Sequence, residues 1–300
     1  MIKRTLYFGS DVYLNTRQEQ LQVNYNDGLR PPVTVPIEDV GVVMIDHAQV
    51  TYSQTLLSKL IRNNVAFITC NEKHMPQGLI LNLDGNHIQS ERFKIQISAS
   101  LPLKKNLWQQ TIKAKILNQA RLLEKNGFSV DNLNYWAGKV KSGDPENLEG
   151  RAAAFYWKQI FENYIPNFLR GRYELEPNNL LNYGYAILRA IIARNLVGSG
   201  MMPTLGIHHK NKYNAYCLAD DIMEPYRPFV DQVVLELVKS GLEEFELTKE
   251  VKKSLLKIPV IDVEMEGRLS PLMVASAKTT SSLFKCFEGE SRKMVYPDLV

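Results

Sequence analysis

Near Leu101-Pro102 the hydrophobic pattern of this chain changes period, and no single layer of structure accommodates both halves. Before that point apolar residues come in short β-branched or aromatic runs, at 6–8, 21–25, 33–37, 41–45 and 65–70. Turn signals such as Asn26-Asp27-Gly28 and Pro31-Pro32 separate them, so they read as strands. One helix interrupts: Ser53 is positioned to cap it, and Leu56, Leu57, Leu60 and Ile61 recur at helical spacing. After that point the period is helical. Residues 104–125 carry Leu107, Ile112, Ile116, Ala120 and Leu123 on a long helical pattern. Asp144-Pro145 signals another helix, an N-cap followed by proline at the first helical position, running through Glu149 to about residue 168. Residues 178–197 and 228–239 complete the helical set. The expectation is an α+β chain: a small β-rich N-terminal domain over 1–98, a linker at 99–104, and a larger all-helical domain over 105–300. A length of 300 residues agrees with two domains.

Several classes drop out. Residues 180–197 are apolar around much of the helix, but Asn182, Arg189 and Arg194 interrupt them, so they read as a buried core helix and not a membrane span. The start, MIKRTLYFGSD, has no apolar run long enough for a signal peptide. Cys70, Cys217 and Cys286 form no CxxC pair, which argues against a disulfide framework or zinc knuckle and for a reduced, cytoplasmic compartment. There is no GxSxG, P-loop or GxGxxG, so nucleophilic hydrolase, NTPase and dinucleotide readings lack a motif.

The net charge of +4 neither requires nor excludes a nucleic-acid partner. The charge is clustered, however. Between residues 104 and 141 stand Lys104, Lys105, Lys113, Lys115, Arg121, Lys125, Lys139 and Lys141, opposed only by Glu124 and Asp131, with Trp108 and Trp136 in the same stretch. Two readings stand: a face that tracks phosphates, or a solvated helix face with its tryptophans in the core.

The chemistry concentrates in residues 206–228, GIHHKNKYNAYCLADDIMEPYRP. Imidazole with carboxylate is a ligand set for a catalytic divalent cation. Lys210, Lys212 and Arg227 sit among these groups, as if the substrate were an anion, and a metal beside cations and carboxylates suits phosphoryl transfer. A solvated polar loop is the alternative. His208 and His209 are adjacent, so at most one faces a given metal. If 218–224 is helical, Asp221 and Glu224 share a face and Asp220 points elsewhere. Upstream, Glu149 begins a helix and is followed by Ala152, Ala153 and Ala154, which let another helix approach; a glutamate there is paired, protonated or metal-bound, or serves the helix end electrostatically.

The ordered set of Glu149, GIHHKN and DIMEPYRP resembles the CRISPR-associated adaptation integrases, the "Cas-one" family, and most closely the branch from type II systems. NLWQQTIKAKILNQA at 106–120, NEKHMPQG at 71–78 and the closing LFKCFEGESRKMVYP carry the resemblance across essentially the whole chain. The resemblance implies three metal ligands, which carry over onto Glu149, His209 and Glu224, with Asp221, His208 and Arg227 in supporting roles. It implies Mg²⁺ or Mn²⁺ as cofactor. It implies an antiviral-defence endonuclease and integrase, in which the 3′-hydroxyl of a short DNA fragment attacks a phosphodiester at the CRISPR repeat. DNA-binding candidates are Lys104, Lys105, Lys113, Lys115, Lys210, Lys212 and Arg227. The implied partners are double-stranded and branched DNA, a second copy of the chain joined through the β domain, the small "Cas-two" protein, and the type II effector nuclease. The competing readings are a non-catalytic DNA-binding scaffold of the same complex and an unrelated hydrolase of small phosphoesters.

Overall fold

The computed structural model describes residues 3–171, 176–241 and 245–300. The chain divides into two units, Met1–His87 and Ile88–Val300.

The first unit holds β1 (Arg4–Phe8), β2 (Val12–Arg17), β3 (Gln20–Tyr25), β4 (Val33–Pro36), β5 (Val40–Ile45), β6 (Thr51–Tyr52), α1 (Gln54–Arg62), β7 (Ala66–Cys70) and β8 (Pro76–Ile80). One sheet has the order β1-β5-β7-β8 and the other β4-β3-β2-β6. β5 runs parallel to both neighbours and is buried at every residue, VGVVMI, as a strand covered on both faces must be. Val12, Leu14, Leu21 and Val23 alternate inward from β2 and β3 and meet Leu56 and Leu60 of α1 in the core. Ser53 caps α1, its hydroxyl accepting from the Leu56 amide. β2 is absent from the sequence reading. Its turn to β3 places Gln18 and Glu19 at φ 49° and 57°, a conformation that Asn-Gly would have advertised and Gln-Glu does not.

The second unit contains α2 (Gln89–Ser98), α3 (Leu101–Lys125), α4 (Asp131–Lys139), α5 (Leu148–Ile160), α6 (Asn178–Gly198), α7 (Cys217–Met223), α8 (Arg227–Lys239), α9 (Lys249–Leu255), β9 (Asp262–Met265), β10 (Arg268–Pro271) and α10 (Leu272–Glu288). Three expectations change. Residues 88–98 belong to this unit, because Gln96 exchanges hydrogen bonds with the Met202 backbone and Arg92 donates to the Ser199 carbonyl. The segment 99–104 is mostly the first turn of α3, capped by Ser100, and not a free linker. The unit is also not wholly helical: β9 and β10 pair as a hairpin through Glu266 and Gly267, both at positive φ.

α3 is the spine. It packs against α4, α5, α8 and a 3-10 turn at Glu224–Tyr226, with Leu107, Trp108, Ile112, Ile116 and Leu123 in the core. α6 is buried along most of its length, as its composition demands. Among the described residues no helix is long and apolar enough to cross a membrane.

Candidate active site

Two of the elements that meet α3, α5 and the 3-10 turn, each bring one carboxylate to its middle. α5 starts at Leu148, later than the Asp144-Pro145 signal implied. Asn147 is its N-cap, in the left-handed region, with its side chain accepting from the Gly150 amide. Asp144 still serves the helix, since its carboxylate accepts from the Leu148 and Glu149 amides at 2.9 Å each. That fixes Glu149 on the first turn. Glu224 is delivered by the 3-10 turn after α7, on which Pro225 prevents the helix from continuing through its own amide.

Lys115, at mid-length of α3, joins the two. Its ammonium lies 2.7 Å from Glu149 Oε1 and 2.6 Å from Glu224 Oε2. Arg227 Nε approaches the other Glu224 oxygen at 3.0 Å. Both Glu224 oxygens are thus matched by cations, Oε2 by Lys115 and Oε1 by Arg227. Burial alone would raise the Glu224 pKa; Arg227 and Lys115 outweigh it and hold the carboxyl below its usual value. Burial likewise opposes the charge on Lys115, and Glu224 and Glu149 reverse the balance, leaving its pKa raised.

The histidines are organised by Asp221, whose side chain is wholly buried. Its carboxylate accepts from the amides of Ile207, His208 and His209 at 2.7, 2.9 and 3.2 Å, and it lies 2.5 Å from His209 Nδ1. One carboxylate thus pins the loop and one ring together. Gly206 permits this close approach; a Cβ there would collide with the His209 carbonyl oxygen and crowd Asp221 Oδ2. With Nδ1 engaged, Nε2 is the nitrogen His209 offers outward. The hydrogen bond with Asp221 raises the His209 pKa, burial opposes the rise, and Glu224 and Glu149 add to it, which places all three groups within electrostatic reach. His208 stacks on Trp108, ring centroids 4.1 Å apart and planes 2° from parallel, and the His209 ring meets the same tryptophan edge-on at 5.6 Å. Burial and the neighbouring His209 lower its pKa. Asp220 faces away, held by Arg189 and Asn214.

The DNA-binding candidates divide. Lys105, Lys113, Lys210 and Lys212 are exposed and Lys104 partly so. Lys104, Lys210 and Lys212 line an open groove of about 690 Å³ together with Gly206 and His209. Lys115 and Arg227 do not belong with them. The Lys115 side chain is only 10% exposed and is engaged by two carboxylates; Arg227 is paired with Glu224 and lies over the Tyr185 ring. Lys115 carried a legible signal, since it stands three residues from Ile112 and seven from Trp108, on the apolar face of α3. Asn118, also unforeseen, sits one turn further along. Its side chain donates to the carbonyls of Pro225 and Pro297 and accepts from the Leu299 amide, tying the Glu224 turn to the C-terminal segment.

Two carboxylates and an imidazole are a donor set suited to Mg²⁺ or, with its greater tolerance of nitrogen, Mn²⁺. Among the described residues no three His, Cys, Asp or Glu side chains are already closed around a common point. Lys115 holds the carboxylates and Asp221 holds the imidazole. A buried Glu224 carboxylate whose charge is already met by a cation, and an imidazole whose Nδ1 alone is engaged, make the set compatible with such an ion.

The profile of the family described as "CRISPR associated protein Cas1" matches residues 6–258. A CRISPR-associated endonuclease Cas1 from Neisseria meningitidis is 35% identical over 285 residues, 94% of this chain and 91% of that protein. One from Pyrobaculum aerophilum is 27% identical, covering 69% and 74%. The fold resembles a Cas1 protein from Thermotoga maritima, with a TM-score of 0.75 at 16% identity over 95% of this chain and 97% of that one. It also resembles a casposase bound to integration product, at 0.77 and 18% identity over 98% and 92%. A Cas6-RT-Cas1–Cas2 complex contains a similar fold, at 0.74 and 19% identity over 100% of this chain and 37% of that one.

Proposed function

This chain belongs to the Cas1 family of CRISPR-associated proteins, and from that premise we propose that it is an endonuclease and integrase that inserts short DNA fragments into a CRISPR array. The observation that carries this reading is the pairing of Glu149 and Glu224 through Lys115, with His209, held by Asp221, on the wall of a groove lined by lysines. The relatives named as CRISPR-associated endonucleases and the fold shared with a casposase support it.

The reaction is a transesterification. The 3′-oxygen of the incoming strand forms a bond to phosphorus, the bond from phosphorus to the 3′-oxygen of the repeat strand breaks, and the proton passes from the attacking hydroxyl to the departing oxygen by way of solvent. Glu149, Glu224 and His209 Nε2 would hold a Mg²⁺ or Mn²⁺ ion, which when bound supplies Lewis-acid charge to the scissile phosphate and the attacking hydroxyl. Asp221 keeps His209 in the tautomer that presents Nε2. Lys104, Lys210 and Lys212 draw the phosphate backbone along the groove. Arg227, held against Glu224, fixes that carboxylate and is not a backbone contact.

For partners, we read DNA and a small Cas2-type protein, in keeping with the complexes in which neighbours of this fold occur. A dimer through the first unit would cover the edge strands β4 and β6, which carry the exposed Val33 and Tyr52. Membership of the type II branch, and contact with its effector nuclease, rest on the closing segment 283–297.

The test is a strand-transfer assay with a labelled fragment and a supercoiled plasmid bearing the repeat, with and without Mn²⁺. Metal-dependent joining by the wild type, lost in His209→Ala, is expected. DNA binding without joining under any metal would favour the scaffold reading instead.

A further inference from the structure

Lys115 is the one basic residue of the α3 candidates that turns away from solvent. It is embedded at mid-helix, one turn from Ile112 and beside Ile116, and its ammonium contacts Glu149 and Glu224 together. An ammonium carries three donors and can serve more than one acceptor. This one is shared between two acids that belong to different elements, α5 and the 3-10 turn before α8. Arg227 balances the remaining oxygen of Glu224. Two carboxylates, one ammonium and one guanidinium sum to zero, so the cluster is neutral without any further ion. A divalent cation entering between the same two carboxylates brings two more positive charges next to the ammonium, at a range where repulsion in a poorly solvated site is large.

We propose that Lys115 is a positioning residue that acts as a resident cation: it holds Glu149 and Glu224 side by side and must yield the space between their oxygens when a divalent metal binds, so that it sets the affinity of the site for metal. This rests on the metal-site reading given above. The ammonium's long flexible stem suits such a role, because it withdraws by rotamer change without moving α3. The arrangement also explains why the two acids are ready-placed despite their mutual repulsion.

The experiment measures Mn²⁺ affinity by the free-ion electron paramagnetic resonance signal, and thermal melting in chelator, for wild type, Lys115→Met and Lys115→Arg. Lys115→Met should bind Mn²⁺ about tenfold more tightly or better, the size expected when a group touching the ligands changes. It should melt at a lower temperature than wild type in chelator and gain more from saturating Mn²⁺. Lys115→Arg should stay near wild type in both. Adding Glu149→Gln to Lys115→Met should restore part of the lost melting temperature in chelator, since the repulsion is then gone; mere loss of packing would not be restored. If Lys115→Met is unfolded in chelator, Mn²⁺ should refold it, and failure to do so overturns the proposal. Equal or weaker Mn²⁺ binding by Lys115→Met, against a wild type that binds, overturns it while leaving the metal site intact. If neither protein binds Mn²⁺, the metal-site reading itself fails and takes this one with it.

Discussion

Two sets of cations in the second unit came from similar stretches of sequence and do opposite work. Lys115 and Arg227 lie inside, each against carboxylates, and their charge is spent within the protein. Lys104, Lys210 and Lys212 line an open groove and keep their charge for whatever enters it. The contrast teaches that a basic residue's function follows from the company its helix face keeps. Buried and paired, it positions acids; exposed and unshielded, it recruits a polyanion. Changes in the buried set should therefore strike chemistry, and changes in the exposed set should strike affinity.

The largest effect expected is on catalysis. Glu224→Ala and His209→Ala should each lower strand transfer by roughly a thousandfold or more, as removal of an essential group from a cooperating set does. DNA affinity should change little. His208→Ala should retain most activity, because that ring is stacked flat on Trp108 whereas Asp221 holds the ring of His209; a dead His208→Ala beside an active His209→Ala would exchange their roles. Strand-transfer rates and filter binding on the same preparations decide this.

A smaller effect is expected from the exposed set. Changing Lys104, Lys105, Lys113, Lys210 and Lys212 together to Gln should weaken DNA binding and flatten its salt dependence, with a slope loss of roughly 0.9 for each phosphate contact removed. Lys115→Met should leave that slope unchanged. A slope that falls with Lys115→Met, or that survives the fivefold change, would break the division between the two sets.

The smallest effect concerns another buried acid. Asp231 accepts hydrogen bonds from Tyr156 and Tyr185, and burial pushes its pKa from 3.8 up to about 6 despite them. The folded state therefore holds that proton more tightly than the unfolded chain. Below about pH 4 both states are protonated and no penalty arises; between about pH 4 and 6 the unfolded chain ionises while the folded state keeps its proton, so stability falls, and above pH 6 the loss stands at about 3 kcal/mol relative to the acid plateau. Asp231→Asn should remove that part of the loss, seen as a shallower fall in stability between pH 4 and 6. An identical pH profile for both proteins would show that folding does not raise the Asp231 pKa.

Much of the fold was legible because burial writes itself into residue type. β5 is VGVVMI and is buried at every position; α6 is apolar nearly all round and lies in the core. β2 was hidden by its polar outward residues and by a turn built from Gln18 and Glu19. The hairpin of β9 and β10 was hidden for the same reason, four residues a side around Glu266-Gly267. At the site, Glu149, Asp221 and Glu224 were legible as residue types at suggestive spacing, while the choice of His209 over His208 came from the family resemblance; Glu149 and Glu224 come together because α5 and the 3-10 turn both pack on α3. Lys115 was misplaced because a run of lysines was read by number and not by face: Lys113 looks outward and Lys115, two residues on, looks in. Asn118 carried no local signal, since its partners Pro225, Pro297 and Leu299 are far away in sequence.

The most direct test of the division is Glu149→Gln, which keeps the side chain's shape and removes only its charge. DNA affinity and strand transfer would be measured together across a salt series in Mn²⁺. The account predicts DNA affinity and salt slope equal to wild type with strand transfer reduced to background. Wild-type strand transfer, or a loss of activity that is matched by an equal loss of DNA affinity, would contradict it.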